Sequence, residues 1–116
     1  MLIGELATRA GVTIRAVRYY EAQGLVRAAR KENGYRDYGE EDVRVVREVR
    51  SLLSLGLTAE QTYPFIDCLR AGNARADVCP ASLAAYRARI DELDVHIAEM
   101  VELRARLGEL LADAEQ

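Results

Sequence analysis

The sequence predicts a mainly α-helical fold: a helix-turn-helix bearing a two-stranded wing, followed by one long C-terminal helix. Three observations predict it. Residues 3–24 hold two short amphipathic stretches separated by glycine, residues 27–38 centre on an Asn33-Gly34 pair, and a run from Pro80 to about Ala112 holds no further proline and a single glycine.

Ile3, Leu6, Ala7 and Ala10 recur at helical spacing, and Gly11 follows where a left-handed cap belongs. Thr13 then supplies the N-cap of a second helix. Along it Ile14, Val17 and Tyr20 fall on one face and Arg15, Arg18 and Tyr19 on the other, until Gly24 stops the helix. Two short helices joined by a tight turn, the second offering Arg, Arg and Tyr outward, have the layout of a helix-turn-helix. Arginine forks onto guanine edges or phosphates, and a tyrosine hydroxyl bonds phosphate, so this face suits DNA. A solvated face with arginine stems kept for solubility is the plainer alternative.

Asn-Gly between two arms is the strongest short hairpin signal, because both central residues of a type I′ turn need positive φ. The arms carry Arg27, Arg30, Lys31, Tyr35, Arg36 and Tyr38, basic side chains interleaved with aromatic ones. Placed straight after the second helix, such a hairpin is a wing that reaches the flanking backbone or minor groove. An ordinary charged hairpin is the alternative.

Helical spacing resumes after Gly39. Glu40, Glu41 and Asp42 put negative charge where a helix dipole favours it, and Val43, Val46, Val49, Leu52 and Leu53 form a buried stripe ending at Gly56. Thr58 to Gln61 reads as a capping box opening a fourth helix. Pro64 inside that helix predicts a kink, with the Glu60 carbonyl deprived of its partner. Gly72 and Asn73 end the helix.

From Pro80, roughly 30 residues can form one helix about 45 Å long. Leu83, Tyr86, Ile90, Leu93, Ile97 and Met100 alternate three and four apart as a heptad seam. Arg104 interrupts the seam, and Leu103, Leu107 and Leu110 resume it one step out of phase. A long helix with one apolar stripe needs a partner, and a second copy of the chain is the simplest. The expected division is therefore 1–72 for the winged helix-turn-helix, 73–79 for a linker and 80–113 for the dimerisation helix.

Composition narrows the function classes. The net charge of the 116 residues is −3, yet residues 13–38 hold six basic side chains against three acidic ones. Phosphate binding follows the local field, which decays over about 10 Å at moderate salt, so the overall negative charge does not exclude nucleic acid. No stretch approaches the ~18 apolar residues of a membrane span, and the start lacks a signal-peptide pattern, so the expectation is a cytoplasmic protein with no membrane partner. No acid pair, nucleophile triad or phosphate-cradling loop is present, which argues against an enzyme.

Cys68 and Cys79 are thiols by default in a reducing compartment. Cys79 precedes Pro80, so its sulfur sits at a helix N-terminus where thiolate is favoured. Three readings fit the two cysteines: an inert core thiol at Cys68, a reversible disulfide if the Cα atoms lie within about 7 Å, or a metal-ion site completed by a dimer partner. No cofactor is certain. His96, the only histidine, lies beside the seam and reads as a solvent-facing or interface residue.

The segments "IGELATRAGVTIRAVRYYEAQGLV", "ENGYRDY" and "EEDVRVVREVRSLLSLGLTAEQ" resemble, in order and spacing, the N-terminal domain of the MerR family of bacterial transcription regulators. The likeness is specific over residues 2 to about 70, through a T-x-R-x-x-R-Y-Y core and an N-G-Y-R-x-Y wing, and generic over the long helix. It implies an antiparallel coiled-coil homodimer through the last helix. It also implies binding to a pseudo-palindromic promoter with an overlong spacer, which the dimer bends and untwists for RNA polymerase. Thr13, Arg15, Arg18 and Tyr19 match the recognition-helix positions, Tyr35, Arg36 and Tyr38 the wing contacts, and Tyr20 a position that packs the helix and touches backbone. Cys79 matches a metal-sensing member's cysteine at the start of the dimer helix, whereas the paired thiols that follow the helix in those members are missing. The rival to a regulator is a coiled-coil adaptor using the helix-turn-helix to bind protein. Keeping both a basic helix face and a basic wing favours the regulator.

Overall fold

The computed structural model describes residues 1–27, 29–30 and 36–116. Among the described residues, five α-helices and one two-stranded sheet follow in the order α1 (Ile3–Ala10), α2 (Ile14–Ala22), β1 (Ala29–Arg30), β2 (Arg36–Asp37), α3 (Glu40–Ser54), α4 (Tyr63–Arg70) and α5 (Pro80–Ala114), with a short 3₁₀ helix between α3 and α4. The strands pair antiparallel, Ala29 opposite Asp37 and Arg30 opposite Arg36. The Asn33-Gly34 turn, Lys31 and Tyr35 lie outside the described residues.

Local chemistry sets the boundaries. Gly11, at φ 73°, closes α1 by donating its N–H to the Thr8 carbonyl, a left-handed conformation that a side chain would strain. Two residues later the Thr13 hydroxyl oxygen accepts from the Ala16 N–H at 3.0 Å and starts α2. The Asp42 carboxylate accepts from the Gly39 N–H at 2.9 Å and caps α3, whose first turn is acidic throughout.

Beyond α3 the capping box forms as read, with Thr58 N–H donating to Gln61 Oε1 at 2.8 Å and Gln61 N–H to Thr58 Oγ1 at 3.2 Å. Its consequence differs from the expected kinked helix. Glu60–Thr62 form a 3₁₀ turn, and α4 begins only at Tyr63 with Pro64 in its first turn. The Glu60 carbonyl is not orphaned, because the Tyr63 N–H donates to it. Proline is tolerated at a helix start, where its missing N–H has no partner to lose, so this one sets a boundary.

Leu6 of α1, Val17 of α2, Leu25, Val43, Val45, Val46 and Val49 of α3, and Phe65 and Ile66 of α4 fill one core. Phe65 is fully buried, and its truncation to alanine removes about 3–5 kcal/mol. The compact unit runs from Met1 to Ala85, with Tyr86–Gln116 a second unit. The expected linker is thus packed: Ala76 is buried, the buried Ser82 Oγ donates to its carbonyl at 2.7 Å, and Arg44 Nη2 donates to the Asn73 and Ala74 carbonyls. Helix α5 holds 35 residues, about 52 Å at 1.5 Å per residue.

Candidate nucleic-acid interface

Helix α2 presents two unlike faces. Val17 and Tyr20 point into the core, while Arg15, Arg18 and Tyr19 are exposed, Tyr19 at 48%. Among the described residues no hydrogen bond or ion pair engages the Arg15 or Arg18 guanidinium, so both forks are open to an external acceptor. The Tyr19 ring meets Tyr20 edge-on, centroids 6.1 Å apart, so the exposed ring rests on a buried one. Burial pushes the Tyr20 phenol up, with the Arg50 charge pulling the other way.

Long-range hydrogen bonds hold this helix. Tyr63 Oη donates to the Gln23 carbonyl at 2.7 Å and Arg70 Nη2 to the Leu25 carbonyl at 3.2 Å, so α4 braces the end of α2. Tyr38 Oη donates to Glu21 Oε2 at 2.6 Å, and the Tyr38 N–H donates to the Met1 carbonyl at 2.9 Å. Arg9 of α1 binds Glu40 at the start of α3 through both carboxylate oxygens, and its guanidinium holds that carboxyl below the usual range. Arg47 Nη2 donates to the Arg9 carbonyl at 2.8 Å, so α1 and α3 are held together, and α2 packs on α1.

The residues singled out in the sequence separate into groups. Arg15, Arg18 and Tyr19 share one open face, and Thr13 is exposed at its edge with its oxygen engaged as the N-cap. Tyr20 is 7% exposed and belongs to the packing of the helix. Tyr38 is corrected: at 2% exposure, with its hydroxyl on Glu21, it has no surface to offer phosphate. The Arg36 backbone pairs with Arg30 in the sheet; the Arg36 side chain and all of Tyr35 lie outside the described residues. Glu21, Tyr63 and Arg70 were not singled out, because partners 17 to 45 positions away leave no local pattern.

The seam residues of α5 stand open in the single chain: Leu83, Ile90, Leu93, Ile97, Met100 and Leu107 are exposed, Ile97 at 57%, and Tyr86 is half-buried. His96 is exposed, with Nδ1 4.0 Å from the Glu99 carboxylate.

Cys68 and Cys79 are joined as a disulfide, Cα atoms 6.0 Å apart. The fold of residues 71–79 returns Cys79 to α4, which brings together the two sulfurs that the disulfide and metal readings both call on. Cys68 is buried as expected, at 3%. Sulfurs bonded to each other offer a metal no thiolate, and among the described residues no three His, Cys, Asp or Glu side chains are grouped to hold a metal ion.

Residues 1–62, just over half the chain, match the MerR HTH family regulatory proteins. The chain belongs to the MerR HTH family. As a MerR-family protein it is a DNA-binding transcription regulator and not an enzyme. It is 35% identical over 111 residues to the HTH-type transcriptional regulator HmrR of Rhizobium leguminosarum bv. viciae, covering 96% of this chain and 84% of that one. It is 37% identical over 112 residues to heavy metal-dependent transcription regulator 2 of Rhizobium meliloti (strain 1021), covering 95% of this chain and 74% of that one. Among solved structures, the transcription regulator PbrR691 from Ralstonia metallidurans CH34, in complex with lead(II), superposes with a TM-score of 0.79 at 25% identity, covering 95% of this chain and 84% of that one. Among the described residues of this MerR-family chain, no helix is long and apolar enough to cross a membrane.

Proposed function

We propose that two copies of the chain, joined along α5, bind a pseudo-palindromic promoter with an overlong spacer and remodel it for RNA polymerase. Arg15 and Arg18 read base edges or phosphates in the major groove, Tyr19 contacts phosphate, and Arg36 and Tyr35 of the wing hold the flanking backbone. The observation that carries this reading is the pair of open guanidinium forks beside an exposed tyrosine, on a helix whose C-terminal end is braced by α4. Duplication supplies what one domain lacks, since two such helices read successive grooves and raise affinity together. The exposed apolar seam of α5 supports the same dimer.

The signal enters at Cys68 and Cys79 through the redox state of the pair, because the two sulfurs are already within bonding reach. The test is selection of genomic fragments by the purified dimer with reductant, with oxidant, and with added zinc or copper. Recovery of one palindrome with an overlong spacer, retained differently by the oxidised and reduced forms, is the expected result. Loss of all sequence preference would replace this reading with the protein-binding adaptor, and a response to metal alone would replace the redox signal with a thiolate site.

A further inference from the structure

The two sulfurs of the Cys68–Cys79 pair are not equivalent. Cys68 sits on α4 at 3% exposure among the buried Phe65, Ile66 and Leu69. Cys79 is partly exposed at the end of the connection, and its carbonyl accepts the Ser82 and Leu83 N–H groups, which makes it the N-cap of α5. Asn73 Nδ2 lies 3.6 Å from Cys79 Sγ and donates to the Cys68 carbonyl at 2.9 Å.

We propose that Cys79 is a thiol-exchange site, at which a small thiolate of the glutathione class enters the disulfide and becomes covalently attached. This inference rests on the redox reading of the pair given above. The incoming thiolate attacks Cys79 Sγ, a new S–S bond forms there, and the Cys68–Cys79 bond breaks. Cys68 leaves with the electron pair and takes a proton from water. A second thiolate then attacks the small molecule's own sulfur, forming its disulfide and releasing Cys79 as thiolate. In sum, two small thiols are oxidised to one disulfide and two cysteines are reduced.

Leaving-group acidity by itself favours the reverse order. Cys79 is stabilised as thiolate by the helix N-terminus and the Asn73 amide, so it is the better leaving sulfur. Access decides the first step, because the attacking sulfur must approach along the S–S axis and Cys68 is walled off by α4. The second step then benefits from the same acidity, so the adduct at Cys79 is short-lived when thiol is in excess. The released Cys68 thiol has an acceptor ready, the Arg75 carbonyl 3.6 Å from its sulfur. With the bond open, the hydrogen bonds of Arg44, Asn73 and Ser82 still hold residues 73–79.

The experiment treats the oxidised full-length chain with limiting glutathione, quenches with N-ethylmaleimide in denaturant, and maps both cysteine peptides by mass spectrometry. The expected result is glutathione on Cys79 and maleimide on Cys68, with about tenfold more glutathione at Cys79 than at Cys68. Glutathione on Cys68, or equal amounts on both, would overturn the proposal. Two variants check the result against oxidised glutathione: Cys68→Ser is expected to take the label readily, and folded Cys79→Ser to resist it. An oxidised chain without a Cys68–Cys79 bond would overturn both this inference and the redox reading. Labelling at Cys79 with identical promoter binding by both redox forms would support the exchange site and remove only the sensing role.

Discussion

The Tyr38 hydroxyl donates to the Glu21 carboxylate at 2.6 Å, joining the residue after β2 to the last turn of α2. The end of β2 and helix α2 are thereby tied to each other, although Tyr38 itself is buried. Tyr38→Phe keeps the ring and deletes this charge-assisted bond. It is expected to cost about 1.5 kcal/mol in urea unfolding and to weaken promoter binding severalfold. A variant as stable as the parent would show that the bond contributes nothing to holding the helix.

Arg18→Ala has the opposite signature. Its side chain is exposed and bound to nothing else among the described residues, so melting is expected to stay unchanged. Promoter affinity is expected to fall by about 1–3 kcal/mol, with relaxed preference at one base position. A uniform loss across all sequences with a shallower salt dependence would reassign Arg18 from base to phosphate.

Helices α1, α2, α3 and α5 were legible because each carries its own stop and start chemistry within a few residues: Gly11, Thr13, Gly24, Asp42, Pro80. The open face of α2 was legible for the same reason, a 3.6-residue period that splits Arg15 and Arg18 from Val17 and Tyr20. What was not legible depends on distance in sequence. Tyr38 looked like a wing contact until its partner Glu21 appeared 17 positions earlier. Pro64 looked like a kink because a periodic pattern does not distinguish a 3₁₀ turn leading into a helix from the helix itself. The packed 73–79 connection has loop composition, and only Ser82, Arg44 and Asn73 together show why it is ordered.

The α5 seam predicts a dimer that single charges disrupt. Ile90→Asp or Ile97→Asp places a carboxylate where the partner's apolar stripe belongs, a cost of about 2 kcal/mol or more per chain. Sedimentation is expected to show monomers at concentrations where the parent is dimeric, with promoter binding lost in parallel. Dimers that survive both changes would move the interface off this face of the helix.

The cysteine pair joins positions 11 apart in sequence, which removes freedom from the unfolded chain worth about 3 kcal/mol. Urea unfolding with and without a phosphine reductant is expected to differ by up to that amount, and the difference is expected to vanish in Cys79→Ser. Equal midpoints in the parent would mean that the dithiol form recovers the lost stability elsewhere.

Glu48 of α3 is partly buried, and burial first and the Asp77 charge second push its carboxyl above the ordinary glutamate range. A raised value in the folded chain means that folding disfavours the charged form. The stability is therefore intact below the ordinary glutamate pKa and is lost as pH rises through the raised value. Glu48→Gln removes the penalty, so at neutral pH it is expected to stabilise the chain by less than about 1 kcal/mol, after allowance for solvent screening of a partly exposed group. The gain is expected to shrink toward zero as pH falls to about 4. Glu40 behaves oppositely: Arg9 holds its carboxyl low, so its contribution is present at neutral pH and is lost on acidification. Unfolding midpoints of Glu48→Gln and parent, compared from about pH 8 down to about pH 4, separate the two effects. A constant difference across that range would mean that residue 48 acts through packing and not through its charge.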